Sequence, residues 1–136
     1  MWQIKIMIKR LVNPTSIFFI IGGKFMKLIN NQIIKKLNQY GLYGQEKLGF
    51  DSKILVKYFN PYGNGTWLIT GGEKQDNGDW LLFGFVSLIA NEWGYVMLSE
   101  LESLELVGQI PLIERDLYIN DNTTVRQECE SLGINI

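Results

Sequence analysis

Between Val56 and Leu101 the chain reads VKYFNPYGNGTWLITGGEKQDNGDWLLFGFVSLIANEWGYVMLSEL, and few folds accept such a stretch. Short apolar, aromatic-rich runs alternate with turn residues at close intervals: Asn60-Pro61, Gly63-Asn64-Gly65 and Asn77-Gly78. Runs of this kind read as strands, and the clusters between them as turns. Asn-Gly is a strong hairpin signal because both residues tolerate the positive φ of the tight turns that join antiparallel strands. The pattern predicts strands over Lys53–Phe59, Thr66–Thr70, Trp80–Leu88 and Trp93–Leu98, the third apolar enough to be central. Pro111 opens a further extended segment through Ile119. Strand-turn-strand order without long intervening helices predicts an antiparallel meander.

Helical signals flank this core. Asn30 is placed to cap a helix over residues 31–40, with Ile29 and Ile34 at the staple positions and Ile33, Ile34 and Leu37 as the apolar stripe. Gly41 ends it. Lys35 and Lys36 lie off the stripe and read as a solvated face. Ser99 begins a short helix in which Ser99-Glu100-Leu101-Glu102 fits a capping box, a structural role for Glu102. Thr123 or Thr124 caps a last helix over 125–131, ended by Gly133. The fold class is therefore α+β: a small antiparallel sheet packed with an N-terminal helix and one or two short helices.

Residues 1–25 differ from the rest. Lys5, Lys9 and Arg10 precede Asn13-Pro14, the short run IFFII and Gly22-Gly23. Five apolar residues do not span a bilayer, which needs about 20. The segment reads as an over-extended start with Met26 as initiator, as an extra strand, or as a targeting segment such as an organellar transit peptide. Residues 26–136 form the expected domain.

Composition bounds the chemistry. The 136 residues contain no histidine and one cysteine, Cys129. Triads built on histidine and zinc sites built on histidine or several cysteines are excluded, and no internal disulfide can form. A reducing compartment, by default the cytoplasm, is expected. Residues 1–36 carry seven basic residues and no acid, whereas the remainder holds fourteen acids against six basic residues. An acidic body argues against direct nucleic-acid binding, which needs Lys/Arg clusters.

Few constellations carry chemistry. In Glu114-Arg115-Asp116 the two acids point to one face of a strand, where they are weak candidates for a divalent cation; Arg115 points to the other face, toward another acid. Solvation or pairing with a cation is the commoner fate of such carboxylates. Gly63-x-Gly65 and Gly71-Gly72 lack the lysine and following helix of a phosphate loop. Tyr58, Phe59, Trp67, Trp80, Phe83, Phe85, Trp93 and Tyr95 offer base-stacking faces, but with only Lys53, Lys57 and Lys74 nearby, core packing is the better reading for most of them. Trp67, Trp80 and Phe83 are expected to be structural, with Trp67 and Trp80 paired across the hairpin. Cys129 sits between Glu128 and Glu130, which raise rather than lower a thiol pKa.

Several of these motifs together resemble the bacterial family of domain of unknown function 2958. The likeness runs from about Met26 to Ile119. It rests on Met26-Lys27-Leu28, Lys57-Tyr58-Phe59-Asn60-Pro61, Thr66-Trp67, Leu82-Phe83-Gly84-Phe85, Glu92-Trp93-Gly94-Tyr95 with Leu98 through Glu102, and Ile113 through Tyr118. Where the family often shows T-W-Y-x-T-E, this chain has Thr66-Trp67-Leu68-Ile69-Thr70-Gly71, which argues against chemistry at that strand end. The resemblance implies a small protein of mobile genetic elements such as plasmids, and implies no reaction.

Two functional readings follow. The first is an acidic binding module that engages a protein partner without turnover, with no cofactor and no membrane contact. Its patch would comprise Glu92, Glu100, Glu105, Glu114 and Asp116, provided the fourth strand and the Pro111–Ile119 segment are neighbours. The second is a carboxylate-based, metal-dependent hydrolase of nucleic acid centred on Glu114 and Asp116.

Overall fold

The computed structural model describes residues 27–108 and 110–136. The expectations for residues 1–25 lie outside that range.

Helix α1 spans Asn31–Tyr40. The Asn30 side chain accepts from the Ile33 N–H at 2.9 Å, and the Gly41 N–H donates to Leu37 O at 2.7 Å, so both ends close as their residue types dictate. A 3-10 segment follows at Glu46–Asp51. The strands are β1 (Val56–Phe59), β2 (Thr66–Lys74), β3 (Trp80–Ser87) and β4 (Asn91–Met97). Helix α2 (Leu98–Glu102), the short strands β5 (Glu105–Leu106), β6 (Ile110–Pro111) and β7 (Glu114–Arg115), and helix α3 (Val125–Leu132) complete the chain. The main sheet has the order β4-β3-β2-β1-β7 with every neighbouring pair antiparallel, and β5 pairs with β6 apart from it. The expected meander is present, and the fold is α+β.

Several boundaries differ from the sequence reading. Strand β2 runs on through Gly71-Gly72 to Lys74 because a bulge between Ile69 and Gly71 restores its register with β3. At Gly71 a Cβ would lie 2.3 Å from Leu42 O, so the close approach of the α1 connection admits only glycine. Gly84 is required for a like reason, its Cβ falling 2.1 Å from Leu68 O. Residues 111–119 are not one strand but β6, a turn and β7. Helix α2 starts at Leu98, one residue early, because β4 feeds straight into it. Glu100, not Glu102, then accepts from the Met97 N–H at 3.0 Å, and the Ser99 hydroxyl donates to Asp79 instead.

The sheet separates two apolar clusters. Tyr58, Trp67, Ile69, Trp80 and Leu82 face α1, α2 and the β5–β6 hairpin. Tyr58 is fully buried and donates its hydroxyl to Leu28 O at 2.6 Å. The opposite face, with Leu68 and Phe85, is covered by Ile54 and by Val125 and Cys129 of α3. Trp67 and Trp80 are core residues as expected, but Trp67 stands opposite Val86 and Trp80 opposite Lys74, so they do not pair with each other.

Candidate functional site

Alternation along a strand sends successive side chains to opposite faces. The aromatics of β3 and β4 therefore divide: Trp80 goes to the α1 side, while Phe83, Phe85, Trp93 and Tyr95 share the other face. Helix α3 covers the β1–β2 part of that face, and towards β4 the aromatics emerge. Phe83 and Trp93 stack with centroids 5.7 Å apart and planes 15° from parallel. Tyr95 leans on Phe83 at 5.0 Å, and Phe50 of the 3-10 segment closes the far side at 5.3 Å from Trp93. Tyr95 is 53% exposed and Tyr43 is 56% exposed, their hydroxyls 3.3 Å apart. That hydrogen bond first, and more weakly the charge of Glu46, hold the Tyr95 phenol above its ordinary range.

A cavity of about 140 Å³ opens between this surface and the connection after α1. Phe83 and Trp93 form one wall; Gln45, Ser52 and Thr70 form another; Glu46 and Gly49 complete it. The polar wall is internally satisfied. Gln45, buried, donates through Nε2 to Lys53 O at 2.8 Å and to Thr70 O at 3.0 Å, while its Oε1 accepts from the Lys53 N–H at 2.8 Å. Thr70 is the extra residue of the β2 bulge, so this contact satisfies a carbonyl the ladder leaves free. The Ser52 hydroxyl donates to Gln45 O at 3.1 Å. Of the lining side chains only Glu46 carries a charge, and it is exposed.

The acids singled out by sequence do not converge. Glu92 lies on β4 at one edge of the sheet, and Glu114 on β7 at the other. Four strand spacings separate those edges, roughly 19 Å. Glu100 caps α2 and Glu105 lies on β5. The adjacency that would join all five acids into one patch is therefore absent from the sheet order. Glu114 and Asp116 do share a face, since Glu114 stands opposite Phe59 and Asp116 reaches Lys57 on the same side of β1. Asp116 is committed, however: it lies 3.2 Å from Lys57 Nζ and also accepts from the Tyr118 N–H at 2.8 Å. Glu128 of α3 completes the ion cluster at 2.8 Å from the same Nζ. Arg115 turns to the opposite face as expected but donates to Lys27 O at 3.1 Å, not to an acid. No group of three or more potential metal ligands gathers among the described residues. Cys129 is buried on the inner face of α3, and burial first, then Glu128, raises its thiol pKa.

The motif residues thus mostly hold the fold. Lys57 links β1, β7 and α3; Tyr58 anchors Leu28; Asn60 closes its turn by accepting from the Tyr62 N–H at 2.9 Å and donating to Asn64 O at 3.1 Å. A family model described as protein of unknown function (DUF2958) matches residues 28–129. The chain belongs to this family. It matches no curated protein and no solved structure. Within this DUF2958 chain, the aromatic cavity and its Gln45 wall are what sequence reading missed. Gln45 carries no periodic or motif signal, and the sequence favours core packing for most of the aromatics of β3 and β4. Among the described residues no helix is long and apolar enough to cross a membrane.

Proposed function

We propose that this chain is a binding module that engages a protein partner without turnover, through the aromatic face of β3 and β4. The observation that carries this reading is the aromatic surface in which exposed Tyr43 and Tyr95 adjoin half-buried Phe83 and Trp93 near the β4 edge of the sheet, not covered by another element among the described residues. Exposed aromatic clusters rimmed by polar groups mark interaction surfaces, and tyrosine and tryptophan are the residues that most often anchor them. The adjoining cavity of about 140 Å³ falls below the ~300–1,000 Å³ of small-molecule sites, so it suits one protruding side chain better than a free substrate. Lys57 is paired with Asp116 and Glu128 and Arg126 with Asp51, which leaves Lys47 and Lys53 near this face, too few for the basic groove nucleic acid needs and so in favour of a protein partner. The mobile-element setting implied by the family resemblance makes a host or element-encoded cytoplasmic protein the natural candidate.

The test is capture of a partner from the native host by tagged wild-type protein, compared with a Tyr43→Ala/Tyr95→Ala double variant. Both side chains are exposed, so the variant should keep its thermal unfolding midpoint and lose the partner. Retention of the partner at undiminished yield would refute the assignment of the surface. Turnover of nucleic acid that requires Mg²⁺ or Mn²⁺ and disappears in Glu114→Ala/Asp116→Ala would replace this reading with a hydrolase.

A further inference from the structure

We propose that the cavity beside Phe83 and Trp93 is a cation-recognition site that receives a lysine or arginine side chain of the partner. The inference rests on the binding-module reading and names the chemistry its central contact would use.

Three features of the cavity select a cation. Its apolar wall is the stacked pair Phe83 and Trp93, and aromatic faces carry negative quadrupolar charge that attracts ammonium and guanidinium groups within about 6 Å. Its charged lining group is Glu46, an exposed carboxylate with no ion pair within salt-bridge distance among the described residues. Its polar wall offers nothing to an anion, because the Gln45 amide donates both its hydrogen bonds to backbone carbonyls and the Ser52 hydroxyl donates to another. A neutral apolar side chain would satisfy the aromatics but gain nothing from the Glu46 carboxylate. An anion would meet that carboxylate directly.

The same cluster already holds one cation from its own chain. The Arg126 guanidinium lies 5.8 Å from the Phe50 ring centroid while pairing with Asp51 at 3.1 Å. The same combination of aromatic side chains and an acid lines the cavity, where Phe83 and Trp93 occur with Glu46. Volume sets the size of the guest. About 140 Å³ admits the end of one long side chain and is too small to enclose a nucleotide. Tyr43 and Tyr95 lie beside the cavity, where they would flank the aliphatic stem of an entering lysine or arginine.

The experiment uses the full chain, isotopically labelled, and follows the Trp93 indole and the Glu46 and Gly49 amide resonances by two-dimensional NMR. The probes are the N-acetyl amides of arginine and lysine, with those of citrulline and norleucine as neutral counterparts. Each is added up to about 0.1 M, which saturates even a millimolar site. The cationic probes are expected to shift these resonances saturably, and the neutral ones to bind at least about threefold more weakly. Glu46→Gln should reduce affinity for the cations about three- to tenfold and leave the neutral probes unchanged. Equal shifts from neutral and cationic probes, or no shift from any, would overturn the proposal. The two readings part cleanly. If the probes are ignored but the Tyr43→Ala/Tyr95→Ala variant still loses the partner, the cation assignment falls and the binding surface stands. If the probes bind as expected but partner capture survives that variant, the cavity recognises cations and the assignment of the partner surface to Tyr43 and Tyr95 fails.

Discussion

Replacing Gln45 by leucine should cost about 3 kcal/mol of folding free energy. Gln45 closes three hydrogen bonds, two from Nε2 at 2.8 and 3.0 Å and one into Oε1 at 2.8 Å. Leucine has similar volume, so the loss is not that of a cavity. Thr70 O is buried in the β2 bulge, and orphaning it carries a desolvation penalty of about 1–3 kcal/mol. The Lys53 N–H and C=O lie at an exposed residue where water replaces part of what is lost, so each contributes nearer ~0.5 kcal/mol. Urea unfolding followed by tryptophan fluorescence reads the difference as a fall in midpoint at unchanged slope. Gln45→Glu provides an internal control on the cause. Its carboxylate would face two carbonyl oxygens, so it should destabilise at neutral pH and recover in part as acid restores a donor. A loss below about 1 kcal/mol for Gln45→Leu, or a Gln45→Glu variant indifferent to pH, would refute the account of the clamp.

Lys57→Met should cost about 3 kcal/mol in the same assay, because Asp116 and Glu128 are left facing each other beneath α3 without their shared cation. Burial pushes the Tyr58 phenol well above its ordinary range, so its contribution is intact below about pH 10 and is lost as pH rises beyond. Tyr58→Phe should lower stability by about 1–2 kcal/mol at pH 7 and weaken the alkaline decline, as read from urea midpoints across pH. At the acid end, the Ser99 hydroxyl bound to Asp79 holds that carboxyl below the usual range. Its contribution is present above about pH 4 and lost as pH falls, and Ser99→Ala should flatten that limb of the stability profile. Cys129, buried with its pKa raised, should resist alkylation at pH 8 in the native protein and react once urea unfolds it.

Much of the fold was legible because its signals are local. Asn30, Gly41, Thr124 and Gly133 end helices by satisfying backbone groups within a few residues, and the predicted limits of α1 agree with those observed. The Asn77-Gly78 hairpin and the strand order through β4 follow from turn chemistry and short connections. The misreadings share another origin. Gly71-Gly72 looks like a strand end until Leu42 is seen pressed against it, and Ser99 looks like a cap until Asp79, 20 residues earlier, takes its hydroxyl.

Sequence by itself determined the fold class, the absence of histidine chemistry and that Glu114 and Asp116 share a face, because composition and period-two alternation are properties of the chain alone. Only the tertiary structure decided that β4 and β7 occupy opposite edges of the sheet, so that the acids of 92–105 and 114–116 do not meet. It also decided which aromatics are core and which are surface. Alternation assigns Phe83, Trp93 and Tyr95 to one face, but whether that face is covered depends on how far α3 and the 3-10 segment reach across it. That reach is set by contacts remote in sequence, Lys57 with Glu128 and Ser52 O with the Val125 N–H, whose energies no local pattern encodes.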